Sequence, residues 1–355
     1  MVVLRNWQKQ IIDDFPAIVK QHRRFILKAP TGAGKTILAS EIVDQFYKGK
    51  KILVLCHRLV LLEQLQKALS ARHSVHKLSV SEDGKAFDGY DILLSTNMRA
   101  KDVLEEAIKM ADLIIVDEAH RVSPNGSGYK KILEDFENEG KVGAQFMGLT
   151  ASPERRTGDQ RDQLSLAFDA IIDCANIETL IEEGILVPPI YRPHFIHDLD
   201  LSSIDISSGD FPVSKLAPAI VKSSMIDYAT FIYLEERQNV PSAPISAWFC
   251  PDVTVAEATL EKVRANGIEA EIVTASTPIT ERMELLEAHE NGKIEAMVSV
   301  GVLAEGWDNP HCNLIVHLRP TLSKVVWGQT VGRGLRSAEG KDRCIVIDVS
   351  SNWST

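Results

Sequence analysis

The stretch "APTGAGKT", residues 29 to 36, follows the apolar run "RFILK" and precedes the helix-forming run "TILASEIVDQF". Glycines let such a backbone curl until successive N–H groups face inward, and the start of the helix adds the positive end of its dipole. A loop of this kind binds phosphate. Thr31, Gly32, Ala33 and Gly34 line the cradle, Lys35 reaches the outer phosphates of a nucleoside triphosphate, and Thr36 is placed to ligate Mg²⁺. The pattern ordinarily opens with Gly, and Ala29 stands in that place. A second stretch, "LIIVDEAH" (113 to 120), ends an apolar run in two adjacent carboxylates. Asp117 can hold the metal there, and Glu118 can orient and deprotonate an attacking water. A third, "QTVGRGLRS" (329 to 337), sets Arg333 and Arg336 three apart, so that on a helix both guanidiniums leave one face. Their planar forks suit phosphate oxygens better than lysine would.

These side chains need strands to hold them. Short apolar runs alternate with amphipathic stretches, the pattern of parallel strands buried between helices. "RFILKAP", "KILVLCH", "YDILLST", "ADLIIVDE" and "QFMGLTAS" each read as a strand ending in a polar or small-residue turn. A second series follows: "APISAWFC", "EAEIVTA", "EAMVSV", "CNLIVHL" and "RCIVIDV". Between the series lies "EEGILVPPIYRPHF", whose prolines at 188, 189 and 193 stop any helix and mark a connector. We therefore expect an α/β protein of two lobes, residues 1–190 and 191–355. The polar stretches "ERRTGDQRDQ" (154 to 163) and "DLDLSSIDISSGDFPVS" (198 to 214) read as loops or mobile insertions.

Composition narrows the function. At 355 residues the chain exceeds what one hydrophobic core usually supports. No stretch approaches ~20 uninterrupted apolar residues, and Arg5 and Trp7 come too early for a signal peptide, so we expect a cytoplasmic protein without membrane contact. The five cysteines are scattered and form no C-x-x-C pair, which suggests buried thiols rather than a disulfide framework or zinc ribbon. The net charge is -10, carried as -2 up to residue 190 and -8 beyond it. Neither lobe is a polybasic wrapper, so a nucleic-acid partner must be held by a local track of donors and cations.

With "DEAH" following the phosphate loop, the chain resembles the superfamily 2 helicases and translocases, DEAH-box members included, and the ordered motifs span residues 5 to 350. "LRNWQ" is similar to the family's adenine-reading motif, which implies a bidentate amide from Gln8 to adenine with Arg5 packed near the base. "VLCHRLVLLEQ" and "STNMR" resemble motifs Ia and Ib, which implies nucleic-acid backbone contacts from His57, Arg58, Gln64, Thr96, Asn97 and Arg99. "GLTASPER" resembles motif III, coupling hydrolysis to strand binding through Thr150 and Ser152, with His120 linking the neighbourhood of Glu118 to the second lobe. "VGVLAEGWDNP" resembles motif V, placing Gly306 and Asp308 beside the nucleotide, and "QTVGRGLR" fits motif VI, with Gln329, Arg333 and Arg336 catalytic. Taken together, the last two stretches are most similar to the RadD-like DNA repair helicases and their phage relatives.

The resemblance implies two tandem RecA-like parallel-sheet lobes with a nucleotide cleft between them, the second carrying motifs IV to VI. ATP and Mg²⁺ are the implied cofactors, and Arg333 and Arg336 the implied arginine fingers. The implied activity is ATP-dependent movement along nucleic acid by a monomer, on single-stranded or forked DNA ahead of RNA, in repair, replication or recombination. The alternatives are the motor subunit of a restriction system and an RNA helicase. A nucleotide-gated binding module is disfavoured by Glu118, since a switch without hydrolysis needs no water-activating carboxylate.

Overall fold

The computed structural model describes residues 3–56, 66, 69–70, 73–77, 86–87, 89–96, 101–122, 129–152, 161–207, 210–240, 242–304 and 307–350. They form two compact units, the first reaching Asn176 and the second beginning at Ile177. The change of unit falls ahead of the proline-rich stretch.

The first unit is built on seven parallel strands: β1 (Arg24–Lys28), β2 (Ile52–Cys56), β3 (Val75–Lys77), β4 (Ile92–Thr96), β5 (Leu113–Asp117), β6 (Gln145–Thr150) and β7 (Ala170–Asp173), in the order β3-β4-β2-β5-β6-β1-β7. β2 and β4 are buried at every residue, as expected of strands covered on both faces. Register sets the functional edge: Lys28 lies opposite Thr150, and Asp117 opposite Leu149, so β1, β6 and β5 end level and side by side. One backbone bond, Ala29 N–H to the Thr150 carbonyl at 3.1 Å, carries the pairing of β1 and β6 past the end of the sheet. β3 and β7 are the two edge strands that the sequence reading left out. β3 has three residues, and β7, "AIID", alternates half-buried and exposed positions in place of an apolar run.

The second unit has six parallel strands: β8 (Pro189–Pro193), β9 (Ser246–Phe249), β10 (Ala270–Val273), β11 (Ala296–Ser299), β12 (Leu314–His317) and β13 (Cys344–Asp348), ordered β10-β11-β9-β12-β13-β8. β8 is the stretch expected as a connector. It is a strand in spite of its prolines because it lies at the sheet's edge, with one neighbour only. The polar stretch 198–214 is also tied down where it is described: Ser207 and Asp210 exchange backbone hydrogen bonds of 3.0 and 3.1 Å, and Asp210 is buried.

Two glycines show how closely helices approach the sheets. A Cβ on Gly148 of β6 would stand 2.6 Å from the Cβ of Ala119, and one on Gly334 would stand 2.5 Å from the Cys344 sulfur. Both lengths are below any real contact, so each glycine sets a packing distance.

The second unit buries two neutral histidines. His289 Nε2 donates to the Ser246 carbonyl at 3.1 Å, and its Nδ1 accepts from the Asn309 amide at 3.3 Å. Burial drives its pKa down to about 4, against the raising effect of the Ser246 bond. Burial, with Arg319 adding to it, drives His317 to about 3. An unfolded histidine titrates near 6.5. Between that pH and 4 the unfolded chain takes up protons that the folded chain refuses, so stability present above pH ~6.5 is lost as pH falls. The urea midpoint of the second unit's transition should drop across this window, and His289→Asn should flatten the drop. An unchanged slope in that variant would remove His289 as its source.

Candidate ATP-hydrolysis site

Residues 29–34 run from the end of β1 into the helix Lys35–Phe46. Gly32 and Gly34 have φ of 82° and 96°, a left-handed backbone that favours glycine, and Gly34 caps the helix. Lys35 and Thr36 are thus the first two helical residues. The Lys35 ammonium donates to the carbonyls of Ala29 at 2.9 Å and Pro30 at 3.1 Å, folding back over the loop it belongs to. A Cβ at position 34 would come within 3.0 Å of Gln8 Nε2, so the loop has room only for backbone on that side. A bare backbone curl with one mobile cation at a helix start fits the phosphates of a nucleotide.

Arg5 and Gln8 belong to this loop through bonds that spacing alone does not reveal. Arg5 Nη1 donates to the carbonyls of Gly32 at 3.2 Å and Ala33 at 2.6 Å. Gln8 Nε2 donates to the Gly34 carbonyl at 3.0 Å, and its Oε1 accepts from the Arg5 N–H at 2.9 Å. Both ends of the Gln8 amide, expected to pair with adenine, are therefore engaged by protein. Each end keeps one further position, a second N–H on Nε2 and a second lone pair on Oε1, through which a base could still pair.

Asp117 closes β5, and Glu118 follows it with φ 51° and ψ 51°. A left-handed glutamate costs about 1 kcal/mol or more and is kept only where its surroundings enforce it. It aims the chain into a one-turn helix, Ala119–Arg121, whose first residue packs on Gly148. His120 Nδ1 lies 3.3 Å from the Glu118 carboxylate and 3.0 Å from Thr150 Oγ1. Thr150 Oγ1 donates to the Ser152 carbonyl and accepts from the Ser152 N–H, both at 3.2 Å. Glu118, His120, Thr150 and Ser152 are thus one connected group within the first unit. Glu118 and Thr150, the two groups named at His120, lie in that same unit.

In the second unit the helix Lys324–Gly334 carries Gln329 and Arg333, and Arg336 follows it. Arg333 is 6% exposed, and its fork is spent on backbone: Nε and Nη2 donate to the Ala304 carbonyl at 3.2 and 3.0 Å, and Nη1 to that of Trp307 at 2.8 Å. Arg336 donates to the Trp307 carbonyl at 3.2 Å and forms an ion pair with Asp308. Burial lowers the Arg336 pKa, partly offset by that carboxylate. In the structure both forks meet groups of their own unit, Arg333 the Ala304 and Trp307 carbonyls and Arg336 the Trp307 carbonyl and Asp308. Gln329 Nε2, four residues before Arg333 on the same helix, is buried with no hydrogen-bond partner among the described residues. A buried donor without a partner is costly, and an anion on that helix face would satisfy it.

Thr96 ends β4 and is buried. His57, Arg58, Gln64, Asn97, Arg99 and Gly306 lie outside the described residues. Among the described residues no helix is long and apolar enough to cross a membrane.

Comparison with known proteins agrees with this geometry. Residues 1–155 match the type III restriction enzyme res subunit family, and residues 233–338 match the helicase conserved C-terminal domain. The chain is 28% identical to "Putative ATP-dependent helicase IRC3" of Saccharomyces cerevisiae, over 98% of its own length and 51% of that protein. It is 27% identical to a 51.5 kDa protein of a Lactococcus phage, over 92% of its length and 66% of that protein. It therefore spans between half and two thirds of these relatives. Among solved structures it shares its fold with "a putative HsdR subunit of a type I restriction enzyme from Vibrio vulnificus YJ016" (TM-score 0.75, 22% identity, 99% of this chain and 65% of that one). The type ISP restriction-modification enzyme LlaBIII bound to DNA is similar over 98% of this chain and 28% of its own (TM-score 0.69, 19% identity). Through the two matched regions and these relatives, the chain is similar to ATP-dependent helicases along most of its length.

Proposed function

We propose that this chain is the ATP-hydrolysing motor of a helicase or translocase that acts on DNA. The observation that carries the reading is the common edge of β1, β6 and β5, where the Lys35 loop, Thr150 and the Asp117–Glu118 pair end level. Residues 31–36 would hold the phosphates of ATP, and Thr36 and Asp117 would hold Mg²⁺, which supplies neutralising charge to the phosphate oxygens when bound. Lys35 exchanges its carbonyl partners for phosphate oxygens. Glu118 accepts a proton from the attacking water, held in aim by its left-handed backbone and by His120. Thr150 and Ser152 pass the state of that group to the loop that follows β6. Arg336, and Gln329 with its unsatisfied amide, would steady the charge developing on the transferred phosphoryl group. DNA is favoured over RNA by the resemblance to repair helicases and by the DNA-bound structural neighbour.

Glu118→Gln tests this directly. It keeps the shape and loses the base, so turnover should fall roughly 10²–10⁴-fold while ATP binding persists. The comparison should be run with single-stranded, duplex and forked DNA and with RNA. Turnover near the unmodified rate would place the base elsewhere, and stimulation by RNA alone would overturn the preference for DNA. A second reading, the motor of a restriction system, is favoured by the res-subunit match. It predicts hydrolysis stimulated by closed duplex DNA without strand separation.

A further inference from the structure

We infer that Asp210 is a positioning residue that sets the start of the Lys324–Gly334 helix, and through it Gln329 and Arg333. The inference rests on the proposed part of that helix in ATP hydrolysis.

Asp210 sits in a stretch whose composition reads as an unconstrained loop, yet its residue is 5% exposed. Burying a carboxylate is expensive unless donors surround it. The donors here come from far along the chain: Thr321 Oγ1 donates to one carboxylate oxygen at 2.8 Å, and the Leu322 N–H to the other at 2.9 Å. The neighbouring Phe211 N–H adds a bond of 3.0 Å, and Arg319 Nη2 stands 3.7 Å away. A loop that only stabilised itself would make its bonds locally. Two of these reach across more than a hundred residues, to the segment that launches the helix.

The connection continues in short steps. Thr321 Oγ1, while donating to Asp210, accepts from the Ser323 N–H at 3.1 Å. Ser323 is the helix N-cap, its hydroxyl accepting from the Val326 N–H at 3.3 Å. About one and two-thirds turns beyond the cap is Gln329, and about one turn further Arg333. Asp210's own backbone is fixed by its paired bonds with Ser207. The helix is thereby held at its start by Asp210 and near its end by the Arg333 bonds to Ala304 and Trp307. Sliding or rotation at either end would move Gln329.

The test uses the whole chain with Asp210→Ala, Asp210→Asn and Thr321→Val. Readouts are ATPase kcat and KM with saturating single-stranded DNA, thermal midpoint, and amide hydrogen exchange by segment. Asp210→Ala should lower kcat roughly tenfold or more with KM within about threefold, since it strips a charged acceptor from three donors. Exchange should rise over residues 322–330 and stay unchanged in β10 and β11. Asp210→Asn keeps an oxygen for Leu322 and lets the Thr321 hydroxyl turn to accept, so it should recover most of kcat. Thr321→Val, which removes one bond, should fall between and serves if Asp210→Ala does not fold. Wild-type kcat in a folded Asp210→Ala, unchanged exchange at 322–330, or a kcat loss that merely tracks the thermal midpoint would each overturn the proposal. Absence of ATPase in the unmodified chain would count against the proposed function instead. Exchange at 322–330 would still decide the role of Asp210.

Discussion

Lys35→Ala is expected to leave a folded protein whose nucleic-acid-stimulated ATPase falls to background. The side chain contributes little to the fold: its bonds are to the Ala29 and Pro30 carbonyls of its own loop, and the curl is set by Gly32 and Gly34. What it brings is a charge that can follow phosphate oxygens. In a phosphoryl transfer almost all catalysis is positioning and electrostatics, so losing the one cation on the loop removes far more than a single neutral hydrogen bond would. Nucleotide affinity should weaken as well, because the same ammonium meets the ground state. The measurement is steady-state hydrolysis beside a thermal melt. Substantial turnover in a variant that melts normally would end the assignment of residues 29–36 to phosphate.

The two arginines should separate, although their spacing makes them look equivalent. Arg336→Ala should lower turnover by about 10³–10⁵ if it acts as an arginine finger, with much smaller loss of ATP binding. Its exchangeable partners are one carbonyl and the half-exposed Asp308 carboxylate. Arg333→Ala should show a different signature. It removes three bonds, one to the buried Trp307 carbonyl and two to the partly buried Ala304 carbonyl, so the second unit should lose on the order of 1–3 kcal/mol of stability along with activity. Lysine should rescue Arg333 poorly, because one ammonium cannot span the Ala304 and Trp307 carbonyls as a planar fork does. Melts and kinetics on the same four preparations, Ala and Lys at each position, decide the matter. Normal turnover in Arg336→Ala would remove the finger, and an unaltered melt in Arg333→Ala would refute its bracing role.

The strands that were legible are those whose burial is unavoidable. "ILVLC", and "LIIVD" up to its closing Asp117, are apolar because helices cover both faces of a parallel sheet, and that leaves a trace in composition. β8 left a misleading one, since proline excludes a central strand but not an edge. The phosphate loop and the Asp117–Glu118 pair could be singled out as candidates because each is a contiguous run of residues. Asp210 left no trace at all. Its meaning lies in partners 111 and 112 residues away, and a polar residue in a polar stretch looks the same whether it meets water or Thr321. The backbone bonds of Arg333 were hidden for the same reason: a guanidinium suited to phosphate is equally suited to two carbonyls.

β8 has one more consequence. Its even-numbered neighbours face β13: the Pro188 carbonyl accepts from the Cys344 N–H, and the His194 N–H donates to the Asp348 carbonyl. Residues 189, 191 and 193 therefore point their backbone away from the sheet. Two of those three are prolines, so the outer margin offers a single N–H, that of Tyr191, where an ordinary strand would offer three. A stray strand from another molecule would find carbonyls on this side but only one N–H to meet its own acceptors. The prolines that disguise β8 in the sequence also guard the open flank of the sheet against intermolecular strand addition, the route by which exposed edges lead to aggregation. Both positions are thus sites where replacement by a β-branched residue could leave the monomer intact and yet make it less soluble.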